Sequence, residues 1–255
     1  MNAIVIAFVS IGCIFAGALL GLGLQKLLPS HHLSKETQDI VKLSAGMIAT
    51  LTALVLGLLV SSAKSSYDTV NNGLVQGSAK FILLDRALAR YGPETQAARA
   101  EVQRALAVTI DLIWPMEKTG VSALTAFEIA NGMQLERVQD KLHDLTPHTD
   151  AQHQALAQAQ QIVGDLSQIR WLLVEQGHNQ LPLPLLLVLV FWLTLLFVSF
   201  GLSAPSHATA LTVLFVGACA VSIAIFLVIE LNGPLEGFVK ISNAPLRNAL
   251  QHLKQ

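Results

Sequence analysis

The sequence predicts an all-α membrane protein with four transmembrane helices and a helical domain inserted between the second and third. Charged residues make up only 13% of the chain, about half of the ~25% usual for soluble domains. Each of four apolar runs is long enough to cross a hydrocarbon core ~30 Å thick, which takes about 20 helical residues. The runs lie at residues 3–24, 40–63, 181–203 and 209–231.

The charged stretch between the second and third runs divides the chain into four parts. We expect transmembrane helices 1 and 2 in residues 1–63 and a helical domain, continuous with the second span, in 64–180. Residues 181–231 should hold transmembrane helices 3 and 4, and residues 232–255 a C-terminal tail.

Basic residues near the ends of the runs predict the orientation. The side that carries both termini and the inserted domain holds six of them, at Lys64, Lys80, Arg170, Lys240, Arg247 and Lys254. The opposite side holds Lys26, Lys35 and Lys42. Because basic residues stay in the cytoplasm, we expect a multi-pass protein of the bacterial inner membrane with a cytoplasmic domain and termini. The first run has no basic residue before it and should be a span, not a cleaved signal.

Composition and motifs exclude several classes of function. A net charge of -1 argues against nucleic acid as a partner, which needs a basic surface. No phosphate loop, nucleophile elbow or two-histidine zinc motif is present, so we predict no enzymatic activity and no cofactor or metal. Cys13 and Cys219 lie within apolar runs and read as small buried residues.

The first span carries a close-packing signal. Gly17 and Gly21 are four residues apart, and this spacing lets another helix approach closely in lipid. We expect packing within one subunit, with a subunit interface as the alternative.

The second span has one small, weakly polar face. Its residues recur every three or four positions, which places them on one side of a helix. They are Gly46, Thr50, Ala53, Gly57 and Ser61 and, just beyond the apolar run, Lys64 and Asp68. A different face is apolar, with Met47, Leu51, Leu54 and Leu58.

A heptad follows the second span without a helix breaker. Its steps alternate between three and four residues, through Tyr67, Val70, Leu74, Gly77, Phe81, Leu84, Leu88 and Tyr91. This pattern predicts a single long helix that packs along one seam and stops at Gly92-Pro93. Counted backward, the seam is expected to merge with the small face.

Three more helices are predicted in the inserted domain, and one in the tail. Proline and glycine breaks place the first three at about 93–114, 122–145 and 150–177. Leu246, Leu250 and Leu253 at helical spacing predict a tail helix, which either lies on the membrane surface or docks on the inserted domain.

Charged residues near the span ends are candidate mouth or gating groups. Lys42 and Lys64 are 22 positions apart, roughly 33 Å along a helix, so one lies at each membrane face. In an oligomer with the second span around its axis, these lysines would form basic rings that attract anions. The alternative is that lysines at helix ends only extend to the lipid headgroups. Asp68 can offset such a ring, and Glu230 is either a helix-end anchor or an ion-coordinating carboxylate.

Three stretches of the chain resemble a known family. The first is Gly57-Leu58-Leu59-Val60-Ser61-Ser62-Ala63-Lys64-Ser65-Ser66-Tyr67-Asp68, followed by Leu84-Asp85-Arg86 and Arg90-Tyr91-Gly92-Pro93-Glu94. The others are Arg170-Trp171-Leu172-Leu173-Val174-Glu175-Gln176 and Glu230-Leu231-Asn232-Gly233-Pro234-Leu235-Glu236-Gly237. They resemble the bestrophin-like family of bacterial membrane proteins. The resemblance implies a distant similarity to bestrophins, which are pentameric anion channels with a pore that continues from membrane to cytoplasm.

Two functional hypotheses follow. In the first, the chain forms a homo-oligomeric ion channel, pentameric by analogy, in which Gly46, Thr50, Ala53, Gly57, Ser61 and Lys64 line a pore for inorganic ions. In the second, it is a non-conducting membrane scaffold or sensor whose cytoplasmic domain binds a partner. An inverted repeat, expected of a transporter, is not visible.

Overall fold

The structure, a computed structural model, describes eight α-helices and no strand within residues 3–29, 34–114, 123–178, 183–205, 207–233, 235 and 237–254. Only the backbone is described for 123–132 and 177–178. The helices are α1 Ala3–Leu27, α2 Lys35–Tyr91, α3 Gln96–Ile113, α4 Ala123–His143, α5 Asp150–His178, α6 Leu183–Ser203, α7 Ala208–Asn232 and α8 Ala244–Leu253. Four of them, α1, α2, α6 and α7, are long and apolar enough to cross a membrane. The all-helical class and the four apolar spans are therefore confirmed.

The unbroken second helix is the main feature of the fold. α2 contains 57 residues, about 85 Å of helix at 1.5 Å per residue. It ends at Tyr91, and the next residue, Gly92, has a φ of 136°, which is accessible to glycine and strained for other residues. Pro93 begins a short 3₁₀ turn, and the buried Thr95 hydroxyl lies 2.7 Å from the Leu88 carbonyl oxygen and 2.8 Å from that of Gly92, so that its single proton is shared between them. These bonds satisfy acceptors that the helix end leaves open.

The chain divides into two compact units. The first unit combines Met1–Ser65 with Gln180–Asn232, and the second combines Ser66–Asn179 with Gly233–Gln255.

In the first unit, α1 packs against α6 and α7. A Cβ added to Gly17 would lie 2.8 Å from the Thr194 carbonyl oxygen, and one added to Gly21 would overlap the Val198 carbonyl oxygen. On the facing helix, a Cβ at Gly201 would overlap the Ala18 carbonyl oxygen. Contact within one subunit, the preferred reading of the Gly17–Gly21 spacing, is confirmed.

The second unit has one apolar core. The heptad of α2 supplies Val70, Leu74, Phe81, Leu84 and Leu88 to it, and α3, α4 and α5 supply most of the rest. The three helices predicted after Gly92-Pro93 are all present, and their bounds differ from the expected ones by only a few residues. Pro115, predicted to stop the first of them, lies outside the described residues.

A partly buried ion pair fixes α3 against α2. Arg99 Nε and Nη2 donate to the two carboxylate oxygens of Asp85 at 2.7 and 2.9 Å. This fork-to-fork geometry is the strongest form of a salt bridge. The hydrogen bond to Asp85 raises the pKa of the Arg99 guanidinium. A pKa that is higher in the folded state stabilises the fold below that pKa, so the contribution is constant through the neutral range and is lost only at strongly alkaline pH.

The C-terminal helix docks on the second unit. Leu246, Ala249 and Leu253 of α8 are buried in its core. Gln103 of α3 donates to the Leu253 carbonyl, and Trp114 Nε1 donates to the Ile241 carbonyl at 3.0 Å. Of the two placements predicted for the tail, docking on the inserted domain is the one observed.

Candidate functional site

The small face of α2 is uncovered in the protomer. Six of its seven residues, all of them in the first unit, are exposed, and the seventh, Asp68, is half-buried. A Cβ built at Gly46 or at Gly57 would meet no atom within 4 Å. No helix of the same chain therefore occupies the space in front of these glycines among the described residues. The six are Gly46, Thr50, Ala53, Gly57, Ser61 and Lys64.

Two other faces complete this part of α2. The leucine face is also exposed, with Leu54 62% and Leu58 61% accessible. The buried face turns Leu59 and Ala63 into the core of the first unit. The exposed surface of the helix therefore has two parts of different chemistry, one of large apolar side chains and one of glycine, alanine and hydroxyl groups.

The hydroxyl group at Thr50 is already engaged as a donor. Thr50 Oγ1 donates to the Gly46 carbonyl at 2.9 Å, one turn earlier on the same face. A threonine hydroxyl has one donor and two acceptor lone pairs, so Thr50 offers its lone pairs outward. A water molecule can donate to them without breaking the helix bond.

The heptad seam does not merge with the small face, contrary to the expectation from the sequence. The seam residues Val70 and Leu74 are buried, whereas Gly57, Ser61 and Lys64 are exposed. The buried residues that precede the seam at helical spacing are Ala45, Thr52, Leu59 and Ala63. The reason is geometric. A backward step of three from Tyr67 reaches Lys64 and a step of four reaches Ala63, and these positions point about 100° apart. Packing selects Ala63.

An exposed stripe on the other side of α2 follows the small face instead. Beyond Ser61 it continues in steps of three or four residues and ends with two arginines in the last turns of the helix. Its members are Ser65, Asp68, Asn72, Val75, Ala79, Leu83, Arg86 and Arg90, all exposed except the half-buried Asp68. Sequence reasoning missed this stripe because it followed only the apolar period; the polar residues opposite the seam were a usable signal.

The three candidate mouth residues have different surroundings. Lys42 Nζ lies 3.7 Å from Asp39 Oδ1, and both side chains are largely exposed, a geometry worth little in stability. Asp68 is half-buried, and Glu230 is buried at 6% exposure near the end of α7. The structure therefore does not bring the three together as one set of exposed charges.

A separate open cleft lies in the second unit, beside the end of α2. Its volume is about 310 Å³. Its walls mix charged and neutral groups, among them Tyr91, Glu94, Lys141, Asp144, His148 and Gln152. Gln152 fixes one side, since its amide donates to the Tyr91 carbonyl at 3.3 Å and accepts from the His148 backbone N–H at 2.8 Å. None of the predicted site residues lines this cleft.

Known structures share this fold. Three variants of a bacterial bestrophin homologue from Klebsiella pneumoniae superpose on it. The leucine-to-threonine variant has a TM-score of 0.67 at 15% identity and covers 94% of this chain and 97% of its own. The isoleucine-to-threonine variant has a TM-score of 0.67 at 13% identity and covers 97% of this chain and 97% of its own. The aspartate-to-alanine variant has a TM-score of 0.69 at 15% identity and covers 100% of this chain and 100% of its own.

These likenesses define an all-helical bestrophin-type fold. A bestrophin-like domain model matches residues 12–246, which is most of the chain, so this protein belongs to the bestrophin-like family. The resemblance drawn from the three sequence stretches is thereby confirmed, although Pro234 and Glu236 of the last stretch lie outside the described residues. No curated protein matches the sequence.

Proposed function

We propose that the protein is a homo-oligomeric ion channel of the bacterial inner membrane, pentameric by analogy with bestrophins, with inorganic anions as the permeant ions. In this proposal α2 lines the central path with Gly46, Thr50, Ala53, Gly57, Ser61 and Lys64. The inserted domain and both termini lie in the cytoplasm. Membership of the bestrophin-like family supports the proposal, and so does the exposure of the small face.

The uncovered small face is the observation that carries the proposal. Lipid offers no hydrogen bonds, so hydroxyl groups and glycine backbone are better placed toward water or another protein surface than toward acyl chains. The leucine face of the same helix is the part suited to lipid or to a neighbouring subunit. If several copies place their small faces around one axis, the small faces line a path for water and ions. The leucine faces then contact lipid or the neighbouring subunit.

The chemistry of the small face fits weak, multi-site contact with ions. Conduction requires that an ion bind well enough to enter and loosely enough to leave. Thr50 and Ser61 supply hydroxyl groups, and the remaining members of the transmembrane part, Gly46, Ala53 and Gly57, add no bulk. Lys64 would place a basic group at the inner end of the span and Lys42, whose Nζ lies 3.7 Å from Asp39 Oδ1, would place one at the outer end.

A glycine substitution tests this placement. The Cβ of Gly57→Leu meets no atom of the described residues of its own protomer within 4 Å, so the variant should fold and assemble as the wild type does. If the glycine faces a pore, five leucine side chains narrow the path, and chloride flux in liposomes should fall by about tenfold or more. Gly12→Leu is the matched control because Gly12 is also an exposed helical glycine with an empty Cβ position.

The outcomes separate the possibilities. Wild-type liposomes without ion flux at any voltage, pH or calcium level would refute conduction. Wild-type flux that Gly57→Leu leaves intact would remove the small face of α2 from the path.

The alternative is a membrane scaffold or sensor that does not conduct. The open cleft of about 310 Å³ favours it, since a partner segment or small ligand could bind there. Molecular mass in detergent distinguishes the two readings. A strict monomer would support the scaffold, because a channel needs more helices around a pore than four spans readily supply.

A further inference from the structure

We propose that Arg86 and Arg90 form the anion-selecting ring at the cytoplasmic end of the path; this inference rests on the proposed channel function. Both arginines are exposed and lie on the stripe that continues the small face. Both arginines belong to the stretches that resemble the bestrophin-like family, and neither is among the pore-lining or mouth candidates.

The two guanidinium groups are available to ions. In the part of the chain that the structure describes, neither forms a salt bridge, whereas Lys80, Arg99 and Arg104 each pair with a carboxylate. Arg86 and Arg90 are four residues apart, so their side chains are neighbours on the helix and repel each other. A small anion near both groups relieves that repulsion, and a cation increases it.

The distribution of charged residues along the stripe makes the electrostatic potential at the ring positive. Between Ser65 and Arg90 the stripe carries one acidic residue, Asp68, and that residue stands near the start. The far end carries two positive charges per subunit, separated from Asp68 by about 27 Å of helix. At physiological ionic strength this distance exceeds the Debye length of about 8 Å. The acidic residue therefore hardly weakens the field at the arginines.

A structural role for these residues is the competing explanation. Cations in the last turn of a helix interact favourably with its dipole, and Arg90 is in the last turn of α2. Such a role would affect stability and would leave the choice between chloride and potassium unchanged. Selectivity is therefore the informative measurement.

The experiment compares reversal potentials in planar bilayers under a potassium chloride gradient. The double variant R86Q/R90Q removes both charges, and R86K/R90K keeps them. R137Q is the control, since Arg137 is an exposed arginine on a different helix, α4. We expect R86Q/R90Q to lower the chloride-to-potassium permeability ratio by about threefold to tenfold. The ratio should be kept by R86K/R90K and R137Q, and the difference should shrink at high ionic strength because salt screens exposed charges.

Each outcome bears on one proposal or the other. Wild-type current with a permeability ratio unchanged in R86Q/R90Q would overturn the arginine ring and leave the channel standing. A wild type that selects potassium over chloride would also overturn the ring. An assembled wild type without current would overturn the channel and the ring together. Size-exclusion profiles and helical content confirm that each variant is folded before its current is compared.

Discussion

The crossing of α1 and α6 in the first unit makes a sharp prediction for Gly21→Ala. A Cβ at this position would overlap the Val198 carbonyl oxygen and lie 2.8 Å from the Leu202 backbone nitrogen. Both obstacles are backbone atoms, so no side-chain rotation can make room. The two helices must separate, and contacts along their shared surface are lost.

The size of the effect follows from the cost of overpacking. Inserting one methyl group into a close contact that cannot relax costs about 1–3 kcal/mol. At about 2 kcal/mol, the midpoint of thermal unfolding should fall by roughly 4–8 °C. Gly23→Ala is the control on the same helix, because a Cβ there meets no atom within 4 Å. The higher helix propensity of alanine, worth up to about 1 kcal/mol, should leave Gly23→Ala neutral or slightly more stable.

Thermal unfolding of purified protein in one detergent, followed by circular dichroism, measures both variants. Equal midpoints for Gly21→Ala and Gly23→Ala would show that the helices are not as close as described. The reasoning about the glycine crossing would then be wrong.

The second unit supports two more predictions, both measured by denaturant unfolding. Asp85→Asn should destabilise it by about 2–3 kcal/mol, because the Asp85 side chain is 10% exposed and Arg99 loses its charged partner. Asp165→Asn, which breaks the more exposed pair with Lys80, should cost below about 1 kcal/mol; equal losses would contradict the role given to burial. Thr95→Val should cost about 1–2 kcal/mol, since it removes the hydroxyl donor to the Leu88 carbonyl at 2.7 Å without changing the volume. Unchanged stability would mean that this bond does not secure the end of α2.

Most of the helices could be predicted from the sequence, because the length of an apolar run and the position of a helix breaker are local features. The four spans follow from composition, and the end of α2 follows from Gly92-Pro93. The Gly17–Gly21 contact was also predicted, since small residues spaced by four in an apolar helix have few other uses.

Features that depend on distant partners were harder to predict. The Asp85–Arg99 pair joins residues 14 positions apart across a chain reversal, and no local period records it. The heptad seam was predicted to continue from Tyr67 to Lys64 on the small face, whereas the buried face continues from Tyr67 to Ala63. Both steps are equally allowed by helix geometry, and only the neighbouring helices distinguish them.

The continuity of α2 also limits how its length can evolve. Within the second unit, inserting one residue between Leu74 and Phe81 would rotate every later position of α2 by about 100° relative to Val70 and Leu74 and displace it by about 1.5 Å. Leu84 and Leu88 would then point away from the core that they now fill. An insertion of seven residues restores the rotation to within about 20°. Related proteins should therefore differ in the length of this part of α2 by whole heptads, and single-residue insertions between Val70 and Leu88 should be rare.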